Sequence, residues 1–470
     1  MNSKIILLLL CSIVIILFLK NYNNNISFVN GENDNDETVN YTQEQLQELL
    51  EAEIAAQEQP LPTQLLNITA KDIYANSYHS AYITEKGQLY HWGLLANSVT
   101  ETPEIITIDG KEIEKVSLGG HFLLIKTRDG LLYSMGRGTY GVLGLGQDGQ
   151  EVEKDYDLPQ LIQYFIDNDI KINDISSGFE HSIVSTEKGI YSFGRTNKGQ
   201  LGVGRSNSYS QEDNNNDIEF ISTPQRIDNK VFESNNIVKI CSGSDHNLVL
   251  TKDNKIYSWG NGYYGSLGHG DNKHLDTPKE IEYFNINKKQ IRDIACGGYH
   301  SLALTEDGEL YSWGWAELGQ LGLGSNVTGN QLVPTRIQNT GLLVDSTEIE
   351  KITSIQAGAY ATSFYLTDKG SLYSFGWGEG GSLGLGDGRN QFTPVIVAIP
   401  SEAVSVAAGF KHTIVKDIDG TIFVFGDDTY SQTGSKQNLN YKQVAMDLHP
   451  NDATLHTTNH FTHEQIKALL

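Results

Sequence analysis

Cys296-Gly297-Gly298-Tyr299-His300, then Thr305-Glu306-Asp307-Gly308, Tyr311-Ser312-Trp313-Gly314, Gly319-Gln320-Leu321-Gly322-Leu323-Gly324 and Val333-Pro334: this stretch decides the fold, because variants of it recur along the chain. Seven copies fall between residues 73 and 434. The pivot histidines are His79, His121, His181, His246, His300 and His412, with Ala361 in that place in the sixth copy. The turn residues are Gly87, Gly130, Gly189, Asn254, Gly308, Gly370 and Gly420, and an aromatic-rich strand ends at Gly93, Gly136, Gly194, Gly260, Gly314, Gly376 and Gly426. Pivot spacing runs from 42 residues (His79 to His121) to 65 (His181 to His246), so a fixed core carries variable surface insertions, as repeat arrays do.

Each part of the repeat has a physical task. Segments such as 300–305 and 309–313 are short, β-branched or aromatic, and bounded by turn residues, which reads as strands. Between them stand Asp129-Gly130, Asp307-Gly308 and Asp419-Gly420, the left-handed turn chemistry of a tight hairpin. The fourth copy uses Asp253-Asn254, and asparagine tolerates that conformation best among the other residues. Thr102-Pro103, Leu158-Pro159, Thr223-Pro224, Thr277-Pro278, Val333-Pro334 and Thr393-Pro394 come late in each copy; proline cannot donate to a ladder, so they mark an outer strand or its first residue. One such unit cannot bury its own faces, whereas seven packed radially can. The expectation is an all-β chain, a seven-bladed β-propeller of four-stranded antiparallel blades over residues 71–448.

On these motifs the chain resembles the regulator of chromosome condensation repeat family, whose members are seven-bladed propellers. The resemblance spans residues 73–434, about three quarters of the sequence, and rests on the Gly-x-x-His, Tyr-Ser-Trp-Gly and Gly-Gln-Leu-Gly spellings in register. The end copies are the most divergent: Leu95-Ala96-Asn97 replaces the glycine-rich loop in the first, and the last reads Ser431-Gln432-Thr433-Gly434 with no following proline. Terminal repeats are commonly atypical. The resemblance implies guanine-nucleotide exchange on a small GTPase. No local motif carries exchange residues over to this chain.

Outside the repeats, Lys4 precedes an apolar run from Ile5 to Leu19, closed by Lys20 and followed by Asn21-Tyr22-Asn23-Asn24-Asn25. Residues 1–20 therefore read as an N-terminal hydrophobic helix. It is a signal-anchor spanning a membrane once through residues 5–19, or a signal peptide if cleaved; both routes take the ring out of the cytosol. The sequons at Asn25, Asn40, Asn67 and Asn326 are glycosylation candidates compatible with that route. Residues 21–70 hold nine acidic and no basic residues and read as an acidic stalk with a short helix from Tyr41. Thr42 and Gln45 give that helix a capping box; residues 449–470 form a tail whose Phe461-Thr462-His463-Glu464-Gln465 repeats the pattern, so both ends carry short terminal helices. Cys241 and Cys296, beside the glycines of adjacent copies but one residue out of register, read as small core residues, with a disulfide between inner strands as the alternative.

A residue that recurs in six blades is placed by architecture, so the histidines, with Gly308, Trp313 and Gly314, are assigned to the structural repeat rather than to catalysis. Gly380-Gly381-Ser382-Leu383-Gly384 matches the spelling of a nucleophile elbow but is the Gly-Gln-Leu-Gly slot of the sixth copy. His456, His460 and His463 have helix-face spacing but lie in a solvated tail. No enzyme, cofactor or metal is expected. The formal net charge of −24 repels phosphate and disfavours nucleic acid. The expected function is a non-enzymatic protein-interaction scaffold with a protein partner; the alternative is regulation of a small GTPase. Specificity is expected from the insertions at 147–171, 205–222 and 338–351, above all the apolar segment Tyr164 to Ile175.

Overall fold

The computed structural model of the protein describes residues 26–29, 38–41, 70–146, 153–204, 220–233, 236–327, 329–338, 340–342, 350–434 and 444–445. The apolar leader, the stalk helix, the tail with His456, His460 and His463, and the sequons at Asn25 and Asn67 lie outside them. The chain divides into two compact units, Met1–Leu61 and Pro62–Leu470. In the first, Ile26–Val29 pairs antiparallel with Thr38–Tyr41, Ile26 opposite Tyr41, with Asn40 inside the second strand. The stalk reading gave this segment no strands; Ile-Ser-Phe-Val and Thr-Val-Asn-Tyr are rich in the residue types that strands favour.

The second unit contains seven four-stranded antiparallel sheets, each built from four consecutive strands. They span residues 70–106, 113–161, 172–226, 237–280, 291–336, 352–397 and 403–445. The first strands of the seven sheets together line a central channel of about 380 Å³. Each blade thus runs outward from the channel in sequence order. The second strands, such as His79–Thr84 and His300–Thr305, are buried from end to end in six blades and at all but Lys416 in the seventh. Apolar packing falls into seven clusters of buried residues, one at each junction between neighbouring blades. The core of this ring is therefore divided among its junctions, as expected when a single blade cannot cover its own faces.

The turns and edges follow the chemistry of the sequence. Asn254 adopts φ of 63°, and its side chain also joins the next blade, donating to the Lys289 carbonyl at 2.9 Å and accepting from the Ile291 amide at 2.6 Å. All six prolines sit inside the fourth, outermost strand rather than at its start. In each case the proline falls within the register shift of that strand, as with Pro334 between Gln331, opposite Gly314, and Thr335, opposite Ser312. A bulge on an edge strand is where a residue without an amide proton costs least.

Among the described residues, neither end of the unit lends a strand to the other. The fourth strand of the last blade is Val444–Ala445, hydrogen-bonded to Ile422–Gly426. The ring closes chiefly through side chains: Ala70, Ile73, Tyr82 and Trp92 of the first blade pack against Ala407, Ile414, Ile422 and Val424 of the last. The Phe410 amide completes the joint by donating to the Ser77 carbonyl at 2.9 Å.

Candidate interaction face

The repeated residues are distributed one set per junction. His300 Nε2 lies 2.8 Å from Ser363 Oγ of the next blade, and Ser363 Oγ donates to the Gln320 carbonyl of the blade that carries His300. The hydroxyl has spent its proton on the carbonyl, so the imidazole must donate from Nε2. His246, Ser301 and the Ser266 carbonyl repeat the relay, as do His412, Ser80 and the Gln432 carbonyl across the closing joint. At the third junction Asn247 takes the serine role, accepting from His181 at 2.7 Å through Oδ1 and donating to the Gln200 carbonyl through Nδ2. The same carbonyls accept from the indoles of Trp92, Trp259 and Trp313 at 2.9 to 3.1 Å. The Gly-Gln-Leu-Gly loop is thus an acceptor aimed at the following blade.

The Gly-x-x-His spacing has a steric cause. A Cβ on Gly297 would stand 2.1 Å from His300 Cε1, and Gly178, Gly243 and Gly409 meet their own histidines in the same way. Only glycine leaves room for the imidazole edge. Complete burial holds these imidazoles neutral: desolvation lowers His79 and His246 to about 4 and His300 and His412 to about 3, and lowers His181 too. The Nδ1 atoms of His181, His300 and His412 have no hydrogen-bond partner among the described residues, consistent with an unprotonated nitrogen.

Two copies differ from the sequence assignment. The residue opposite the strand-ending glycine is Phe122 in the second blade and Thr362 in the sixth, where His121 and Ala361 were expected. Gly119, three residues before Phe122, is the glycine whose Cβ would collide with that ring. The Gly119-Gly120 doublet allowed His121 to be read one residue out of register. His121 is instead half-buried in a loop, with ring neighbours Tyr78 and Phe179 each 6.2 Å away. His79 donates from Nε2 to the Gly119 carbonyl at 2.9 Å, and its Nδ1 lies 3.1 Å from His91 Nε2.

Gly308 occupies the hairpin turn at φ of 84°, Trp313 is fully buried, and Gly314 pairs with His300 at φ of 105°. Ser382 is buried and donates to the Trp377 carbonyl at 2.8 Å, so it offers no free nucleophile. Cys241 and Cys296, read chiefly as core residues, are bonded to one another, Cα to Cα 5.7 Å, and tie the inner strands of the fourth and fifth blades. Asn326 is exposed. In the segment Tyr164 to Ile175, expected to offer an apolar grip, Phe165, Ile170, Ile172 and Ile175 are buried in the junction core and only Ile166 is exposed among its aliphatic residues. The insertion reading fails there because the four-residue helix Tyr164–Asp167 plugs the junction as Phe232 and Phe284 plug the next two. Residues 147–152, 205–219 and 343–349 of the insertions lie outside the described residues.

Side chains that the repeat does not require gather at one end of the ring. There the loops between first and second strands are laced by backbone bonds, Gly120 to Phe179, Phe179 to Ser244, Ala359 to Gly409 and Phe410 to Ser77. Ring contacts follow the same circuit: Phe179 to His121, His121 to Tyr78, Tyr78 to Phe410 at 5.5 Å, Phe410 to Tyr360 at 4.6 Å, Tyr360 to Trp315 at 5.5 Å and Trp315 to Tyr264 at 5.7 Å. Each of the seven blades contributes one ring. Trp377, Tyr299 and Tyr430 widen the arc. Between Phe179 and Tyr264 charged pairs replace aromatics, Arg195 with Glu180 at 2.5 Å and Lys198 with Asp245 at 2.6 Å. Sequence reading missed this arc, although its signal was present: Tyr78, Phe179, Tyr299, Tyr360 and Phe410 sit just before the pivot, where the fold demands no aromatic.

No group of three or more His, Cys, Asp or Glu residues able to hold a metal occurs among the described residues. Nor is any described helix long and apolar enough to cross a membrane. A family model described as an RCC1-like domain matches residues 17–362 and 222–468. The ultraviolet-B receptor UVR8 of Arabidopsis thaliana is 30% identical over 359 residues, which cover 76% of this chain and 74% of UVR8. A bifunctional serine/threonine-protein kinase/NEDD4-like E3 ubiquitin-protein ligase of Dictyostelium discoideum is 28% identical over 380 residues, 68% of this chain but 19% of that one. Human WBSCR16 superposes with a TM-score of 0.64 at 24% identity, covering 76% of this chain and 88% of that one. Prp20p of Saccharomyces cerevisiae superposes with 0.59 at 22%, covering 73% and 81%. The junction relay, the seven consecutive blades and these matches place the chain in the RCC1-like domain family of seven-bladed propellers.

Proposed function

We propose that the chain is a non-enzymatic scaffold that presents one end of its ring to a protein partner. One observation carries this reading: the shared residues are consumed at the blade junctions, while the unshared aromatic side chains collect on a single loop-bearing end. The recurring imidazoles are neutral and bonded to the next blade, so they offer no common reaction centre. Support for an extracytosolic route comes from the Cys241–Cys296 bond, a linkage that persists mainly in oxidising compartments, and from the exposed Asn326 of a sequon. Anchoring through residues 5–19 belongs to the same reading. Regulation of a small GTPase is the alternative, and Prp20p is a neighbour studied for its binding to Gsp1p and histones.

The test compares the full chain with a Phe179→Ser/Tyr430→Ser variant, both side chains exposed, in affinity capture from its own cells after crosslinking. Partners retained by the parent and lost by the variant, at equal melting temperature, are expected. Accelerated nucleotide release from a purified GTPase, with a ring accessible to protease in intact vesicles, would replace the scaffold reading with the exchange reading.

A further inference from the structure

Resting on the scaffold reading, we propose that the aromatic arc seats an extended cationic segment of the partner, its arginine or lysine side chains lying on the rings and pairing with the carboxylates between them. Charge complementarity selects this occupant. Glu317 and Glu379 are exposed, Asp427 is half-buried, and none of the three makes an ion pair among the described residues. They share loops with the rings: Glu317 stands two residues beyond Trp315, Glu379 two beyond Trp377, and a Cβ on Gly380 would lie 3.6 Å from Asp427 Cβ. Burial raises the phenols of Tyr360 and Tyr78, a neighbouring tyrosine adds to it in each case, and Glu317 and Glu379 raise Tyr360 further as Asp427 does Tyr78. On the other side of the circuit Glu180 and Asp245 are already neutralised by Arg195 and Lys198. The blades that carry Trp315, Tyr360, Trp377, Phe410 and Tyr430 thus set these three carboxylates against Lys411, which lies over Trp377 and makes no ion pair among the described residues, so negative charge predominates there.

The chain itself displays the mode of contact. Lys411 Nζ lies 4.9 Å from the centroid of Trp377, and the Arg195 guanidinium 4.8 Å from that of Tyr140. A cation over an indole is worth more when partly desolvated, as it is among packed rings. Same-face side chains of an extended strand repeat every ~7 Å, wider than the 4.6 to 5.7 Å between neighbouring rings on this side of the arc, so a strand laid along it keeps no one-to-one register and sets its side chains on rings or between them. A net charge of −24 opposes a second copy of the same chain in this position and opposes a nucleic acid.

The full chain is titrated with a fluorescein-labelled peptide of repeated Arg-Gly and with its Glu-Gly counterpart, read by anisotropy and by tryptophan emission. The cationic peptide is expected to bind, to shift emission through Trp315 and Trp377, and to weaken as salt rises. Glu317→Gln/Glu379→Gln, two exposed and isosteric changes, is expected to weaken it roughly tenfold, and Trp377→Leu, checked for an unchanged melt, to weaken it further. No binding of the Arg-Gly peptide, equal binding of the Glu-Gly peptide, or indifference to these variants would overturn the proposal. So would self-association lost in the Gln variant, which would give the arc to a second copy, or binding that appears only after deleting residues 446–470, which would give it to the chain's own tail. If the peptide fails while arc-dependent partners are still captured, the scaffold reading stands without this occupant; if no partner depends on the loops, the scaffold reading itself fails.

Discussion

Acidification should loosen the ring by an amount set by its imidazoles. His79, His246, His300 and His412 are wholly buried, and their folded values of about 3 to 4 lie well below the 6.5 of an exposed histidine. Below pH 6.5 the unfolded chain takes up protons that the folded chain refuses, so stability is complete above that pH and falls as pH drops, until the folded groups titrate. Each imidazole contributes about 1.4 kcal/mol per pH unit once its unfolded form is protonated. At pH 5 that is roughly 2 kcal/mol apiece, or ~8 kcal/mol for the four, against a typical total of about 5–15 kcal/mol. Falling pH also relieves repulsion among the 58 acidic residues, which acts in the opposite direction. A comparison of wild type with His300→Gln removes that background. Gln keeps a donor toward Ser363 and cannot be protonated, so at pH 7.5 the variant is expected to be less stable by ~1–3 kcal/mol. By pH 5 the gap should narrow by ~2 kcal/mol. Urea unfolding followed by near-UV circular dichroism at several pH values measures both. A gap that stays constant with pH would mean that His300 titrates normally, and the buried-relay account would be wrong.

Three further outcomes follow from the same geometry. Gly297→Ala should cost ~1–3 kcal/mol or more, because its Cβ would overlap the His300 ring, and the 2D NMR signal of that imidazole should move; an unperturbed ring would remove the steric reason for the motif. Reductant should lower wild-type stability by up to ~4 kcal/mol, the entropic value for a loop closed across 55 residues, and leave a Cys241→Ser/Cys296→Ser chain unchanged in urea melts. Asn254→Ala should destabilise by ~1–2 kcal/mol, since alanine disfavours φ of 63° and abandons the bonds to Lys289 and Ile291; Asn254→Gly should recover part of the loss.

The ring was legible in the sequence because its constraints are local and repeated. Asp307-Gly308 must turn, Gly297 must make way for His300, and Pro334 must sit where no ladder bond is needed. Each constraint is visible within a few residues. The register of the second copy was not, because Gly119 and Gly120 are interchangeable as letters and only the pairing of Phe122 with Gly136 distinguishes them. The disulfide was legible only as an alternative, since Cys241 and Cys296 are brought within 5.7 Å by the angle between blades, which no spacing encodes. The arc was missed for a related reason. Tyr78, Phe179, Tyr264, Tyr360 and Phe410 lie in different copies and become neighbours only when seven loops meet around one channel. The Tyr164 to Ile175 segment misled in the opposite sense, because apolar residues in an insertion pointed inward to fill a junction.

The closing joint differs from the other six in one respect. Everywhere else the polypeptide itself runs from one blade into the next, so a failed junction leaves the two sides tethered. Between the last blade and the first no covalent link runs among the described residues; His412, Ser80, Trp92, the Gln432 carbonyl, the Phe410 amide on the Ser77 carbonyl and a small apolar cluster are the clasp. The molecule is therefore a split washer rather than a seamless hoop. Its weakest seam is fixed in advance, is fastened partly by an imidazole that acid unfastens, and lies beneath Tyr78 and Phe410, so parting it would cut the arc in two.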